Sequence, residues 1–210
     1  MPLTDDFWKQ RWADNQTGWH RSSYHPALEK FCKDFSGQVF VPLCGASLDL
    51  KYLASLEATN KIIGVDLSSK ALLQFFNEQN LTPDISDLGF AKKYSAGKYE
   101  LYECSLFDEN FIKVIKGNDF IYDRASYIAI NPEDRENYSD IMRESLTVNG
   151  RWVLVGLSYA DPSPPPHVID PEHVNAADWL QKLSVKLVSE DQSSVKGKPA
   201  TEYVWELKKQ

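Results

Sequence analysis

Short apolar runs alternate with amphipathic segments along most of the chain. Five of these runs have the length and composition of buried strands, and they occupy residues 38–41, 62–65, 99–104, 120–122 and 152–156. Two later runs, near residues 185–188 and 202–207, predict an antiparallel pair at a sheet edge. Short apolar strands separated by helices are typical of a doubly wound, mostly parallel sheet.

Helix signals lie between these strands. Thr4, followed by two aspartates, predicts the N-cap of a first helix, and Pro26 is well placed to begin a second. Further helices are predicted over residues 48–56, 68–80, 131–150 and 170–179. The sequence therefore predicts an α/β fold with a seven-stranded sheet, formed as one domain over residues 1–210. Residues 1–37 are expected to form a helical cover, and the proline-rich residues 161–166 a stiff loop.

The composition of the chain argues against some classes of binding partner and some cellular locations. The chain has 210 residues and a formal net charge of −7, which argues against a nucleic-acid partner, although an acidic chain can carry a local basic patch. No run of about 18 apolar residues predicts a membrane span, and the N-terminus does not resemble a signal peptide. Three scattered cysteines favour the cytoplasm over a disulfide-rich, secreted protein.

In a doubly wound sheet, ligands bind beyond the carboxyl ends of the strands. The first strand runs into a turn with Gly45 between Cys44 and Ala46, and small residues allow close approach of the backbone to a ligand. The second strand ends at Asp66, where a carboxylate can accept hydrogen bonds from the hydroxyls of an adenosine ribose. Alternatively, Asp66 only caps the following helix, and Cys44 is a nucleophile rather than a lining residue.

The turn has neither the GxGxxG pattern nor a Walker A lysine loop, so a pyrophosphate ligand is disfavoured. A turn with one glycine suits a nucleoside cofactor without phosphates. After the third strand, Ser105 and Leu106 are placed to flank an adenine ring, unless this is an ordinary strand-to-helix turn.

The fourth strand ends in Asp123 and Arg124, a charged pair that is costly to bury without partners. They are candidate catalytic residues, and the alternative is a surface ion pair. Trp12 and Trp19 precede the sheet and are candidates to cover a cationic cofactor, because aromatic faces attract cations. The alternative is that these rings only pack helices onto the sheet. The four histidines lack metal-ligand spacing, so no metal is predicted.

Several segments of the chain, taken in their order along the sequence, resemble the thiopurine S-methyltransferase family. The resemblance is carried by residues 7–12, 18–20, 39–45 (VFVPLCG), 63–68, 75–81, 122–125, 128–132 and 157–159. It extends from residue 7 to about residue 169 and is thin beyond that point. It implies a class I, Rossmann-like methyltransferase that uses S-adenosyl-L-methionine.

The resemblance also implies roles for particular residues. The cofactor would be lined by Trp12, Leu43, Gly45, Asp66, Ser105, Leu106 and Arg124. Trp19 would face the acceptor, and His167 falls near it. The implied reaction is transfer of a methyl group to a small aromatic or heterocyclic thiol, in a cytoplasmic monomer.

Four positions depart from the pattern that is usual in the family. Ala46 stands where the family has Lys, Asp66 where it has Glu, and Trp19 where it has Phe. Residues 164–167 (PPPH) replace a Gly-Pro-Pro-Phe loop. Because the last two departures fall near the acceptor, two alternatives stay open: a methyltransferase for thiocyanate, a halide or a selenium compound, and a non-catalytic cofactor-binding protein.

Overall fold

A computed structural model describes residues 4–160 and 164–209. The helices are α1 (Asp5–Ala13), α2 (Pro26–Phe31), α3 (Asp49–Ser55), α4 (Ser69–Glu78), α5 (Glu109–Val114), α6 (Arg135–Ser145), α7 (Pro171–Ala176) and α8 (Asp178–Gln181). The strands are β1 (Gly37–Val41), β2 (Thr59–Asp66), β3 (Asp84–Asp87), β4 (Lys92–Ala96), β5 (Tyr99–Glu103), β6 (Asn118–Arg124), β7 (Leu146–Tyr159), β8 (Leu183–Val195) and β9 (Lys198–Lys209).

All nine strands described join one sheet in the order β3-β4-β5-β2-β1-β6-β7-β9-β8. The five central strands, from β5 to β7, pair in parallel, and the outer strands are antiparallel. Because the order reverses beside β1, the carboxyl ends of β1 and β6 border a crevice where ligands bind in such sheets. The predicted doubly wound, mostly parallel α/β fold is confirmed.

Helices and buried side chains cover both faces of the sheet. One apolar cluster includes Phe40, Ile63 and Trp152, and the other includes Val39, Leu50 and Phe75. Adjacent residues of β1, Val39 and Phe40, thus point into opposite clusters, as the alternation of side chains along a strand requires. Burial on both faces explains why the central strands are continuous apolar runs.

The predicted count of seven strands is wrong. Strands β3 and β4 form an antiparallel hairpin that extends the sheet beyond β5. The hydrophobic pattern did not predict β3, whose four residues are all exposed. An edge strand without a buried face shows no apolar alternation, so the hydrophobic pattern carries no signal for it.

The predicted ends of two helices also differ. Helix α6 ends at Ser145 rather than near Gly150, because residue 146 turns extended and begins β7. The carbonyl of Ser145 accepts a hydrogen bond from the Gly117 amide at 2.9 Å. Gly150 serves a close backbone contact instead of a helix stop, since a Cβ there would lie 3.0 Å from the Asn118 carbonyl oxygen.

The second differing helix, predicted over residues 170–179, is divided into α7 and α8. Helix α5 was not predicted, and α6 begins at Arg135 rather than at residue 131, but four other predicted helix starts agree with the structure. Thr4 and Ser68 are N-caps whose hydroxyls accept backbone N–H groups, and Pro26 is the first residue of α2. Ser47 accepts from the Asp49 amide at 3.2 Å and supports the start of α3.

Gly156 in β7 lies in close contact with two neighbouring groups. A Cβ on this residue would lie 2.5 Å from the Trp205 ring and 2.6 Å from the Ile169 carbonyl oxygen. We predict that Gly156→Ala lowers the free energy of unfolding by about 1–3 kcal/mol, because a ring and a backbone group must both shift. Urea denaturation measures this loss.

Gly18→Ala is the matched control, because a Cβ at Gly18 meets nothing within 4 Å. It should change the stability by less than about 0.5 kcal/mol. Equal urea midpoints for the two variants would contradict the packing argument.

Candidate active site

A cleft of about 630 Å³ lies at the carboxyl ends of the central strands. Its lining includes seven of the residues predicted from the sequence: Trp12, Trp19, Leu43, Asp66, Ser105, Leu106 and Arg124. Gly45 lines an adjoining cavity of about 30 Å³ instead. Asp123 and His167 line neither space. The volume of the cleft is in the range of small-molecule sites.

Asp66, the last residue of β2, joins two turns at the cleft. One carboxylate oxygen accepts the Gly45 amide at 3.0 Å, and the other accepts the Ser68 amide at 2.9 Å. Burial raises the pKa of Asp66 to about 6, and these backbone hydrogen bonds lower it. A carboxylate has about four acceptor sites, so Asp66 can also accept a hydrogen bond from a hydroxyl of a ligand.

Gly45, in the turn after β1, can be replaced by no larger residue for two reasons: its backbone conformation and its contact with the Trp12 ring. Gly45 has a φ of +50°, and a Cβ there would lie 2.7 Å from the Trp12 ring. Trp12 is 4% exposed and packs directly over this turn. The sequence predicted a small residue at Gly45 so that a ligand could approach the backbone. In this structure the group that approaches Gly45 is the ring of Trp12, the residue predicted to cover the cofactor.

Two other residues at strand ends have strained backbones. Leu43 after β1 has a φ of 43°, and Ala125 after β6 has a φ of 64°. Both line the cleft. Left-handed conformations of non-glycine residues cost about 1–3 kcal/mol and cluster at functional sites. The sequence does not show this feature, because neither residue type favours that conformation.

The third strand end contributes the predicted pair. Leu106 is 2% exposed and is part of the core below the cleft. The Ser105 hydroxyl accepts the Phe107 amide at 3.2 Å, which fixes the turn after β5. A polar group and an apolar side chain therefore lie together where a flat ring can bind beside Asp66.

Arg124 connects the cover to the sheet. Its guanidinium lies 3.6 Å from the buried Asp49 carboxylate and donates to the Trp19 carbonyl at 3.3 Å. The arginine is therefore compensated rather than an isolated buried charge. It lies between the Asp66 end of the cleft and the end formed by β7.

Tryptophan side chains form much of the cover. Trp19 makes edge contacts with Trp8, at 5.5 Å between ring centroids, and with Trp12, at 6.0 Å. All three line the cleft. Residues 1–3 of the predicted cover, and 161–163 of the predicted stiff loop, lie outside the described part of the chain.

Asp123 lies behind the cleft. It is fully buried and accepts hydrogen bonds from the Tyr138 hydroxyl at 2.7 Å and from the Tyr127 amide at 3.1 Å. Burial raises its pKa to about 6. These contacts make Asp123 a fixed point for the turn that carries residues 127–130, rather than a group in contact with a ligand.

His167 is held beside that same turn. Its amide donates to the Ile128 carbonyl at 2.7 Å, and burial lowers the pKa of its ring. The neighbouring Pro164, Pro165 and Pro166 do line the cleft. Of the residues that differ from the family's Gly-Pro-Pro-Phe loop, Pro164 lines the cleft and His167 does not.

Sequence reasoning missed a second group of lining residues. They come from the start of α2 and from the β8–β9 hairpin: His25, Ser193, Ser194, Val195, Lys196 and Glu202. No local pattern marks these positions, because the β8–β9 hairpin reaches the cleft only through long-range pairing with β7.

The residues fit a nucleoside cofactor that carries an amino-acid group. Asp66 suits a ribose, and Ser105 with Leu106 suits a flat base. The small cavity beside Gly45 is lined by Tyr122, whose hydroxyl is buried and has no hydrogen-bond partner among the described residues. An unpartnered buried hydroxyl and Arg124 at this end suit the polar end of such a cofactor.

The fold is that of the class I, Rossmann-like methyltransferases. A solved methyltransferase from Anabaena variabilis, described as S-adenosylmethionine-dependent, is similar over 100% of this chain and 97% of its own, with a TM-score of 0.66 and 16% identity. The Burkholderia thailandensis 1,6-didemethyltoxoflavin-N1-methyltransferase, solved with S-adenosylhomocysteine, has a TM-score of 0.66 at 12% identity, over 98% of this chain and 87% of its own.

The sequence comparisons give the family. The model of the thiopurine S-methyltransferase family matches residues 3–207. The thiopurine S-methyltransferase of Pseudomonas fluorescens is 38% identical over 81% of this chain and 80% of its own length, and that of Panthera leo is 37% identical over 82% and 75%. This chain belongs to the thiopurine S-methyltransferase family, so its predicted cofactor and its prediction as a methyltransferase are confirmed.

The described part of the chain has neither a membrane-spanning helix nor a cluster of metal ligands. Within residues 4–160 and 164–209, no helix is both long and apolar enough to span a bilayer. In the same residues, no three His, Cys, Asp or Glu side chains are grouped so that they could hold a metal ion.

The raised pKa of Asp66 predicts a pH dependence of cofactor affinity. Below about pH 6 the carboxylate gains a proton and loses a hydrogen-bond acceptor. With a pKa of about 6, only about a quarter of the protein is ionised at pH 5.5, so the Kd for S-adenosylhomocysteine should rise roughly fourfold from pH 7.5. Calorimetric titration at the two pH values measures this change.

Asp66→Asn is the control for this titration. It should bind more weakly at pH 7.5 and show no further loss at pH 5.5, because no carboxylate remains. A Kd for the unmodified protein that is equal at both pH values contradicts a role for the ionised Asp66.

Proposed function

We propose that this protein transfers a methyl group to the sulfur of a small aromatic or heterocyclic thiol. The observation that carries the proposal is the chemistry of the cleft beyond Arg124. There the lining changes from the polar groups around Asp66 to apolar surfaces, namely Trp19, Ile128, Leu157, Pro164, Pro165 and Pro166. Flat, apolar ligands bind to such surfaces.

The strand order supports a division of the cleft between the two reactants. Asp66 and Ser105 follow β2 and β5, on one side of β1. Leu157 and Glu202 belong to β7 and β9, on the other side. We assign the first end to the cofactor and the second to the acceptor, with Leu43 and Arg124 between them.

When bound, S-adenosyl-L-methionine supplies an electrophilic methyl group on a sulfonium. Asp66 would accept hydrogen bonds from the ribose, and Trp12 would cover the cofactor. The cover over residues 4–37 would exclude water from the bound reactants, and Arg124 holds the Trp19 backbone of this cover against the sheet. Catalysis in this proposal comes from orientation and desolvation of the reactants rather than from a strong base. A single domain, a monomer and a cytoplasmic location stay predictions from the sequence.

A methyl-transfer assay with labelled S-adenosyl-L-methionine tests the proposal. The acceptors are thiophenol, a thiopurine, thiocyanate, iodide and selenite, and binding of S-adenosylhomocysteine is measured in parallel. We expect transfer to the two sulfur acceptors with aromatic or heterocyclic rings. Transfer to thiocyanate, iodide or selenite alone would overturn the proposed acceptor class, and binding without any transfer would indicate a non-catalytic protein.

Trp19 offers a sharper prediction about acceptor size. Its two-ring side chain occupies the position where the family usually has Phe. We predict that Trp19→Phe raises kcat/KM for a two-ring thiopurine about 3–30-fold relative to thiophenol, because the smaller ring enlarges the acceptor end. Steady-state kinetics with both acceptors measure the ratio.

Trp179→Phe is the matched control, because Trp179 donates to the Tyr127 hydroxyl and does not line the cleft. Its effect on the two acceptors should be equal. An unchanged ratio in Trp19→Phe would show that Trp19 does not limit acceptor size.

A further inference from the structure

A buried histidine and a cleft-lining glutamate meet at the acceptor end. The His25 Nε2 lies 3.0 Å from Oε2 of Glu202, although the residues are 177 positions apart. The Nδ1 atom of His25 accepts the Ala27 amide at 3.2 Å, where it caps α2. Because Nδ1 is the acceptor, the proton of the neutral ring is on Nε2, which donates to Glu202.

This contact leaves the second oxygen of Glu202 available. The side chain is 20% exposed and lines the cleft. Within residues 4–160 and 164–209, no protein donor reaches Oε1 of Glu202. One oxygen of Glu202 is thus fixed by His25, which is 4% exposed, and the other is free to face the cleft. Glu202 is therefore an oriented hydrogen-bond acceptor.

Two neighbouring carboxylates have hydrogen-bond partners of their own. Asp191, the β8 partner of Glu202, accepts from Lys30 at 3.1 Å and from Ser189 at 2.6 Å. Asp49, which accepts the His25 amide at 2.7 Å, lies beside the Arg124 guanidinium. Glu202 is therefore an anionic group of the acceptor end whose second oxygen can accept a hydrogen bond from a ligand.

We infer that Glu202 binds a ring N–H group of the acceptor, and that His25 positions Glu202. The acceptor class would then be heterocyclic thioamides, in which an N–H group is adjacent to the thiocarbonyl carbon. This inference rests on the proposed function. An anionic thiolate, without such a donor, would meet an unfavourable charge at this position.

The same contact gives a balanced route for the proton. The ring N–H bond breaks, its proton passes to Oε1 of Glu202, and its electron pair forms the ring C=N bond. The C=S π electrons move to sulfur, which forms the new bond to the methyl carbon. The bond between that carbon and the donor sulfonium sulfur breaks, and its electron pair remains on the departing sulfur.

The first test measures binding rather than turnover. The protein loaded with S-adenosylhomocysteine is titrated with pyridine-2-thione, with its N-methyl derivative and with thiophenol, and tryptophan fluorescence is recorded. Pyridine-2-thione should bind about tenfold or more tightly than either probe without the N–H group, since a hydrogen bond to a charged group is lost. Equal affinities for all three probes would overturn the inference.

Glu202→Gln tests the residue. The amide can still accept from His25, but it presents an NH₂ group to the acceptor, so the preference for pyridine-2-thione should fall below about threefold. Glu190→Gln, an exposed residue of β8 outside the cleft lining, removes the same charge and should keep the full preference. A preference that persists in Glu202→Gln would refute the assignment.

His25→Asn separates positioning from folding. Asparagine can still cap α2 but cannot reach Glu202. The thermal midpoint should stay close to that of the unmodified protein, while the preference for pyridine-2-thione falls about 3–10-fold. A purely structural role of His25 would weaken all three probes equally.

Methyl transfer distinguishes failure of this inference from failure of the proposed function. If thiophenol and pyridine-2-thione are both methylated and Glu202→Gln reduces both equally, the inference fails and the proposed function stands. If neither is methylated although S-adenosylhomocysteine binds, the proposed function itself fails.

Discussion

The carboxylate of Asp66 is the constraint on which the cofactor end of this structure depends. One oxygen holds the turn after β1 through the Gly45 amide, and the other holds the start of α4 through the Ser68 amide. These contacts fix the position of Gly45, and the Trp12 ring packs where a Cβ on that glycine would lie. The cover, the turn and the acidic group are therefore one unit rather than three separate features.

That unit is maintained against an energetic cost. The folded-state pKa of Asp66, about 6, lies above its usual value of 3.8, so ionisation opposes folding. The contribution of this group to the free energy of unfolding therefore falls by on the order of 3 kcal/mol as the pH rises from about 4 to about 6. Above that range its contribution is constant. A carboxylate kept buried and charged at neutral pH, next to the strained Leu43, indicates that this end of the molecule is organised for a ligand rather than for stability.

The sequence predicted the parts of the molecule in which neighbouring residues along the chain determine the outcome. Apolar runs marked the central strands, and Thr4, Pro26 and Ser68 marked helix starts through their own side chains or backbone. Asp66 and Arg124 were found because parallel strands bring their carboxyl ends to one edge. Strand β3 escaped because all of its residues are exposed, and α6 ended early because residue 146 pairs with β6.

The acceptor end was less predictable for a related physical reason. The position of Glu202 depends on residues that are distant in the sequence. Glu202 lies at the cleft because β9 pairs with Leu157 of β7, and its carboxylate contacts His25. Asp123 shows the converse, because its place at a strand end predicted a residue of the cleft, whereas its carboxylate supports the Tyr127 turn behind the cleft. The cofactor end is built from turns that directly follow strands, whereas the acceptor end is assembled from the cover, a loop and an edge hairpin. Substitutions in those peripheral segments can change the acceptor without disturbing the Asp66 unit, which is how one fold can serve different methyl acceptors.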